Sequence, residues 1–203
     1  MSRGGPVMWP LLILSIVALG LLLERGIFWG RIDSPSARKR FDALVDASRH
    51  GDRALAGGLA RADGGPYGYV AQRMLDHGSD DATAISAVET ARAPMERGLS
   101  MLSFIVTAAP LLGILGTVLG IISSFELLGD TTGLRDPREV SGGIAEALVS
   151  TAAGLVVSIF ALFPLMLFRS RCDRGLGRLE AIIAAVRTGL VAASAPPDRE
   201  RLT

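Results

Sequence analysis

Cysteine and histidine are scarce in this chain of 203 residues: Cys172 is the single cysteine, and His50 and His77 are the two histidines. One cysteine cannot form an internal disulfide, and it cannot hold a metal ion without other ligands. The histidines lie in a polar stretch without clustered partners or a nucleophile motif, which argues against an enzyme. The sequence therefore predicts no cofactor and no metal centre.

An excess of charge of either sign is also missing. The 21 basic residues stand against 20 acidic ones, so the formal net charge of +1 creates no broad field that attracts nucleic acid. Apolar and small residues are abundant instead, with 49% hydrophobic residues, 24 glycines and a mean hydropathy of +0.41. This composition is too apolar for an ordinary soluble domain and predicts a protein embedded in a lipid bilayer.

Three apolar runs are long enough to span a membrane, because about 20 helical residues cross a hydrocarbon core of about 30 Å. The first extends from about Val7 to Phe28, and Trp9 and Trp29 are spaced like two interfacial aromatic belts. Glu24 and Arg25 fall near its inner end, where they can snorkel to the interface. A cleaved signal peptide is the alternative, but no small-x-small cleavage site follows the apolar core.

The second and third spans are Leu99–Phe125 and Ile144–Phe168, with only a short polar stretch between them. Turn-favouring residues in that stretch predict an antiparallel helical hairpin. Basic residues concentrate between spans one and two and after span three, so the positive-inside bias places the amino terminus in the periplasm and the carboxyl terminus in the cytoplasm. The turn-favouring residues are Gly129, Asp130, Gly133 and Pro137.

The predicted fold is all-α: a polytopic membrane protein with three transmembrane helices and long helices that extend into the cytoplasm. Ser34–Pro35 is a helix start signal, and Asp80–Glu96 can run on as a helix into span two. Gly57, Gly58, Gly64, Gly65 and Pro66 are expected to break the intervening region into short pieces. The predicted segments are transmembrane helix 1 with a periplasmic amino terminus (1–29), a cytoplasmic helical region (30–98), transmembrane helix 2 (99–126), a short periplasmic loop (127–142), transmembrane helix 3 (143–169), and a cytoplasmic helix with a disordered tail (170–203).

Glu146 is the only ionisable residue in the third apolar run. A charged group at membrane depth costs about 2 to 4 kcal/mol on insertion scales, so it usually faces a bundle interior or an aqueous path. Thr151 lies about 140° away around an ideal helix, so the two side chains do not share a narrow stripe. This pattern predicts part of an ion-conducting or ion-driven membrane machine.

Small residues recur every three or four positions on one face of span two and one face of span three, which allows the helices to approach closely. Pro110 lacks an N–H and is expected to bend span two. Thr117 and Thr151 would form a polar ring in an oligomer if they lie at similar depth. Alternatively, each bonds the carbonyl four residues earlier and has no further role. The two faces are Ala109, Gly113, Thr117, Gly120 and Ser124, and Ala147, Thr151, Gly154, Ser158 and Ala161.

Two strings in these spans, APLLGILGTVLGIISSF (Ala109–Phe125) and GIAEALVSTAAGLVVSI (Gly143–Ile159), resemble the paired signature of the MotA/TolQ/ExbB proton channel family, and the TolQ/ExbB branch most closely. The resemblance implies a homopentamer in the bacterial inner membrane around two single-span partners of the ExbD/TolR type. It also implies that Glu146 matches the family's membrane glutamate and that Thr117 and Thr151 match its two pore threonines.

One carboxyl group makes a poor proton relay, so a partner is expected to supply an intramembrane Asp, as the resemblance implies. The expected function is a stator subunit that couples the proton motive force to work on a periplasmic-spanning protein of the TonB or TolA kind. Whether Glu146 carries the proton or tunes the partner's Asp stays open, as does the process served, import or envelope maintenance. The alternative is a passive scaffold that holds a single-span partner; a solute transporter is disfavoured because the three unequal spans show no repeat.

Overall fold

The computed structural model describes residues 5–129 and 137–194, and in these ranges it is helical without any strand. The predicted all-α fold class is therefore confirmed. Asp130, Gly133 and the tail from residue 195 onward lie outside the described residues. The helices of the described ranges are α1 (Met8–Ile32), α2 (Pro35–Arg49), α3 (Arg53–Asp63), α4 (Pro66–His77), α5 (Asp81–Glu96), α6 (Leu99–Gly129) and α7 (Pro137–Ser194).

Three of these helices are long and apolar enough to cross a membrane: α1 over Met8–Ile32, α6 over Leu99–Glu126, and α7 over Ser141–Ala193. Only 17 to 28% of each apolar window is buried, so most of these apolar side chains point outward. Outward-facing apolar helices are stable where lipid or further membrane helices cover them. The three predicted membrane spans are therefore present, and the third continues without a break into the carboxyl-terminal helix.

The chain divides into two compact units, and the division falls inside α1 and α7. The membrane unit consists of the described parts of Met1–Gly26 and Gly98–Phe168. The polar unit consists of the described parts of Ile27–Arg97 and Arg169–Thr203, in which α2, α3, α4 and α5 pack on one another in chain order.

Side-chain caps start the helices of the polar unit. The Ser34 hydroxyl accepts from the Ala37 N–H, with Pro35 at the first position of α2, which confirms the start signal read from the sequence. Asp52 caps α3 in the same manner, and Asp80 caps α5. Hydrogen bonds from Thr83 hold the pKa of Asp80 below its ordinary value, because they stabilise the ionised carboxylate.

Two expectations for this region differ from the structure. Gly57 and Gly58 lie inside α3 and do not break it, because Asp52 caps its start and Ala56 and Ala60 bury its inner face. The helix ending at Glu96 does not run on into α6 either, since Gly98 adopts a left-handed conformation with φ of 76°.

The inner end of α1 also differs from the expected interfacial arrangement. Trp29 is fully buried and meets Phe28 edge-on at 5.4 Å, so it does not stand in an aromatic belt, whereas Trp9 is 63% exposed. A Cβ at Gly175 would be in ordinary contact with Trp29 at 3.4 Å, but it would collide with the methyl group of Met95. Arg25 is 1% exposed and pairs with Glu24, so it does not snorkel outward.

Arg178 of α7 joins three elements of the polar unit. Its Nη1 lies 3.0 Å from an Asp33 carboxylate oxygen, and its guanidinium lies 5.8 Å from the Phe41 ring centre and 6.0 Å from that of Tyr67. The two rings meet edge-to-face at 5.2 Å. Burial raises the pKa of the Tyr67 hydroxyl, which keeps it neutral. A planar cation over two rings stabilises the packing of α2 and α4 on α7.

We expect Arg178→Lys to lower the stability of the protein by about 1 kcal/mol, because an ammonium group keeps the charge but cannot stack on the rings or match the carboxylate as a planar donor. Arg174→Lys is the matched control, since the Arg174 guanidinium is exposed and bonds Ser170 of its own helix. Thermal unfolding of the purified full chain in detergent measures both. Equal midpoints for the two variants would show that the stacked cation adds no stability.

Candidate functional site

The backbones of α6 and α7 come into direct contact over the small residues predicted to share one face. A Cβ on Gly154 would collide with the carbonyl oxygen of Ala109, and one on Gly113 would lie 2.9 Å from the Thr151 Cα. Further along this contact between α6 and α7, which we call the seam, Gly120 faces Ala147, which is 4% exposed. Only residues with little or no side chain permit this distance.

Two buried serines flank the contact. The Ser124 hydroxyl donates to the Gly120 carbonyl of its own helix at 2.8 Å, and a Cβ on Gly143 would collide with this hydroxyl. Ser150, which the sequence did not single out, is fully buried and donates within its helix to Ala147 at 2.7 Å and lies 3.3 Å from the Gly113 carbonyl oxygen. The seam is thus packed by small polar side chains.

Thr117 and Thr151 meet across the seam with their hydroxyl oxygens 3.0 Å apart. Thr151 also lies 2.8 Å from the Gly113 carbonyl oxygen, and Thr117 lies 2.7 Å from that of Ile114. Thr117 lies in addition 3.4 Å from the Gly113 carbonyl oxygen. Two hydroxyl protons therefore serve four contacts, and each proton has both a carbonyl and a hydroxyl acceptor in reach. The local bond weighed from the sequence is present for Thr117, which reaches the Gly113 carbonyl four residues earlier, whereas Thr151 bonds the Gly113 carbonyl of the opposite helix.

Ser158 and Pro110 lie at the opposite end of the seam from Ser124. The Ser158 hydroxyl donates to the carbonyl oxygen of Val106 on α6 at 2.7 Å. Val106 stands four residues before Pro110, so the proline that would be its normal helical donor has no N–H. The sequence indicated the bend-prone proline but not the side chain that reaches its unpaired carbonyl.

Glu146 faces the segment that precedes α1. One of its carboxylate oxygens accepts the Gly5 N–H at 2.9 Å, and Gly5 has φ of 63°. Close by, Val7 and Leu11 are buried against Ala109 of α6. A backbone donor from the segment that precedes α1 therefore orients the carboxylate of Glu146.

A cavity of about 470 Å³ adjoins this carboxylate. Glu126 lines the same cavity, together with Gly120 and Ser124 of the seam. The sequence placed Glu126 at the end of transmembrane helix 2 without assigning it a role, and its spacing three residues after Ser123 and seven after Leu119 puts it on the cavity-lining face of α6. Within the residues that the structure covers, no group of three His, Cys, Asp or Glu side chains is placed to hold a metal ion.

The sequence of these helices matches a known family. The model of the MotA/TolQ/ExbB proton channel family fits residues 66–181, more than half of the 203 residues. The chain belongs to this family. The matched region contains the whole of α6 and the part of α7 that carries Glu146, Thr151 and Ser158, so the resemblance read from the paired strings is confirmed.

Curated relatives agree with this membership. The chain is 38% identical over 172 residues to biopolymer transport ExbB-like protein 1 of Synechocystis sp., covering 79% of this chain and 65% of that relative. It is 36% identical to ExbB-like protein 3 of the same organism, over 82% of each chain. It is 30% identical to the biopolymer transport protein exbB1 of Vibrio cholerae, over 87% of this chain and 80% of that one.

We expect Gly154→Ala to destabilise this family member by about 1 to 3 kcal/mol, because the new methyl group meets the Ala109 carbonyl and the helices cannot separate without breaking their hydrogen bonds. Gly142→Ala is the control on the same helix, since nothing lies within 4 Å of its Cβ position. Thermal unfolding in detergent measures both. A Gly154→Ala protein as stable as the control would contradict backbone contact at this point.

Proposed function

We propose that this chain is a stator subunit of an inner-membrane proton channel of the ExbB/TolQ kind, which couples the proton motive force to mechanical work on a periplasmic-spanning partner. The observation that carries the proposal is the Thr117–Thr151 hydroxyl pair, 3.0 Å apart between two membrane helices. Family membership supports the class of machine. The geometry of the seam supports particular roles for its polar residues.

The threonine pair has the property that proton transfer along hydroxyl groups requires. Each hydroxyl can direct its proton to a backbone carbonyl or to the other hydroxyl. Switching between these acceptors leaves no polar atom without a partner, which keeps the free-energy difference between the two arrangements small. On this proposal Thr117 and Thr151 relay protons or orient water in the pore of the assembled channel.

Glu146 provides a carboxyl group at the cavity, with an acceptor oxygen already bound to the Gly5 N–H. A cavity of about 470 Å³ has room for several water molecules, because one water occupies about 30 Å³ in the liquid. Glu146 then exchanges protons with that water or tunes a neighbouring acid. Gly113, Gly120 and Gly154 set the helix spacing that keeps the path narrow.

The path needs a second carboxyl group from another protein. Glu146 is the only carboxylate inside the third span, and Glu126 lies near the end of α6. We infer a homopentamer around single-span partners of the ExbD/TolR type, each with an intramembrane Asp whose protonation changes its contacts with the stator. The work then passes to a protein of the TonB or TolA kind. The topology proposed with it has a periplasmic amino terminus and a cytoplasmic carboxyl terminus.

A passive scaffold is the second candidate, and one contact favours it. The Gly5 N–H occupies a Glu146 oxygen, as expected of a purely structural hydrogen bond that ties α1's leading segment to α7. A scaffold of this kind would hold a single-span partner without conducting ions. Measuring both assembly and proton flux distinguishes the two candidates. A change at Glu146 would lower only assembly in a scaffold, whereas it would lower proton flux in a channel.

Glu146→Gln should lower proton flux by about tenfold or more, because an amide holds the Gly5 contact but cannot exchange a proton. Flux is measured with a pH-sensitive dye in vesicles containing the full chain and its single-span partner, at matched amounts of assembled complex. Glu126→Gln is the control from the same cavity, and its expected loss is below about threefold, because its exposed side chain lies nearer the helix end. Parental flux with Glu146→Gln would remove that residue from the path, and equal losses would assign the effect to cavity charge.

Thr151→Val removes the hydroxyl at nearly constant volume, and we expect about a tenfold loss of flux with normal assembly. Thr151→Ser keeps the hydroxyl and should retain most of the flux. The same vesicle assay measures both, with native gels as the check on assembly. If the valine variant conducts as well as the serine variant, proton transfer does not pass through this hydroxyl.

A further inference from the structure

Pro110 leaves one backbone carbonyl of α6 without its regular hydrogen-bond donor. In an α-helix the carbonyl of residue i accepts from the N–H of residue i+4. Proline at position 110 has no N–H, so the Val106 carbonyl loses its regular donor in a segment without charged residues. In a membrane no bulk water replaces the missing donor, so a neighbouring side chain, an ordered water or a local change of helix geometry has to compensate for a proline.

Ser158 supplies that donor from another helix. Its hydroxyl lies 2.7 Å from the Val106 carbonyl oxygen, and 52 positions separate the two residues in the chain. The contact depends on the close approach one turn away, where a Cβ on Gly154 would collide with the carbonyl of Ala109. Pro110, the Val106 carbonyl that it leaves without a donor, and the Ser158 hydroxyl that bonds this carbonyl thus lie together at one level of the seam.

We propose that Ser158 is a positioning residue: its hydroxyl replaces the N–H that Pro110 lacks, fixes α6 against α7 at this level, and so holds Thr117 within reach of Thr151. The proposal deepens the proposed function, since it assigns the alignment of the threonine pair to a residue that does not contact the pair. The other hydroxyls of α7 in the seam, those of Ser150 and Thr151, lie against the Gly113 carbonyl two turns away. Among these three α7 hydroxyls, that of Ser158 is therefore the one that bonds the carbonyl left without a donor by Pro110.

Disulfide formation between Thr117→Cys and Thr151→Cys measures the alignment directly. The experiment uses the full chain with its partner in membranes and a Cys172→Ser background. Ser158→Ala should slow cross-linking about three- to tenfold, the change expected from losing one buried hydrogen bond in a membrane helix pair. Ser158→Thr keeps the hydroxyl and should cross-link at the parental rate.

Pro110→Ala is the decisive second change. It restores an N–H at position 110 for the Val106 carbonyl, so the Pro110→Ala, Ser158→Ala double variant should cross-link at close to the parental rate. A general packing role for Ser158 would give no such rescue. Ser15→Ala is the control, because the Ser15 hydroxyl lies in another membrane helix and donates to Leu12 of that same helix.

Two results would overturn the inference: parental cross-linking with Ser158→Ala, or a double variant as slow as Ser158→Ala alone. Proton flux is measured separately, with the same changes at Ser158 and Pro110 made in a chain that keeps both Thr117 and Thr151. If the parental complex conducts no protons, the proposed function fails while the cross-linking result still decides the role of Ser158. If flux follows cross-linking across the series, the alignment of the threonine pair limits conduction.

Discussion

The backbone contact between α6 and α7 determines how the polar groups of the membrane unit are arranged. At Gly113 and Gly154 the helices are too close for any Cβ, so side chains one turn away can reach the carbonyls of the opposite helix. Hydrocarbon offers no hydrogen bonds, and each polar group must find a partner within the protein. The short distance between α6 and α7 is therefore also what gives these polar side chains their hydrogen-bond partners.

The same contact produces two kinds of polar arrangement. At Ser158 one donor meets one carbonyl that lacks a helical partner, which fixes the geometry. At Thr117 and Thr151 two protons serve four contacts, which leaves a choice of partners. The threonine hydroxyls can therefore exchange partners while the Ser158 contact keeps the two helices in register.

Two carboxylates of the membrane unit, those of Glu146 and Glu126, lie beside a cavity at one end of the seam. Glu146 receives a backbone N–H from the segment before α1, and Glu126 lines the same space. A charged group keeps its charge at lower cost next to water and a hydrogen-bond donor than in hydrocarbon. This difference in solvation cost accounts for the position of these two acids at a cavity, while the Thr117 and Thr151 hydroxyls lie at the contact between the helices.

The sequence by itself determined the helical class, the three spans, the helix start at Ser34 and the family, because run length, capping and motif depend on residues close together in the chain. It also indicated Pro110 as a site of helix bending and Thr117 and Thr151 as candidate pore residues. Only the tertiary structure decided that Trp29 is buried, that Glu126 shares a cavity with Glu146, and that Ser158 meets Val106. These facts depend on which turn of one helix stands opposite which turn of another, and packing over distant glycines sets that register.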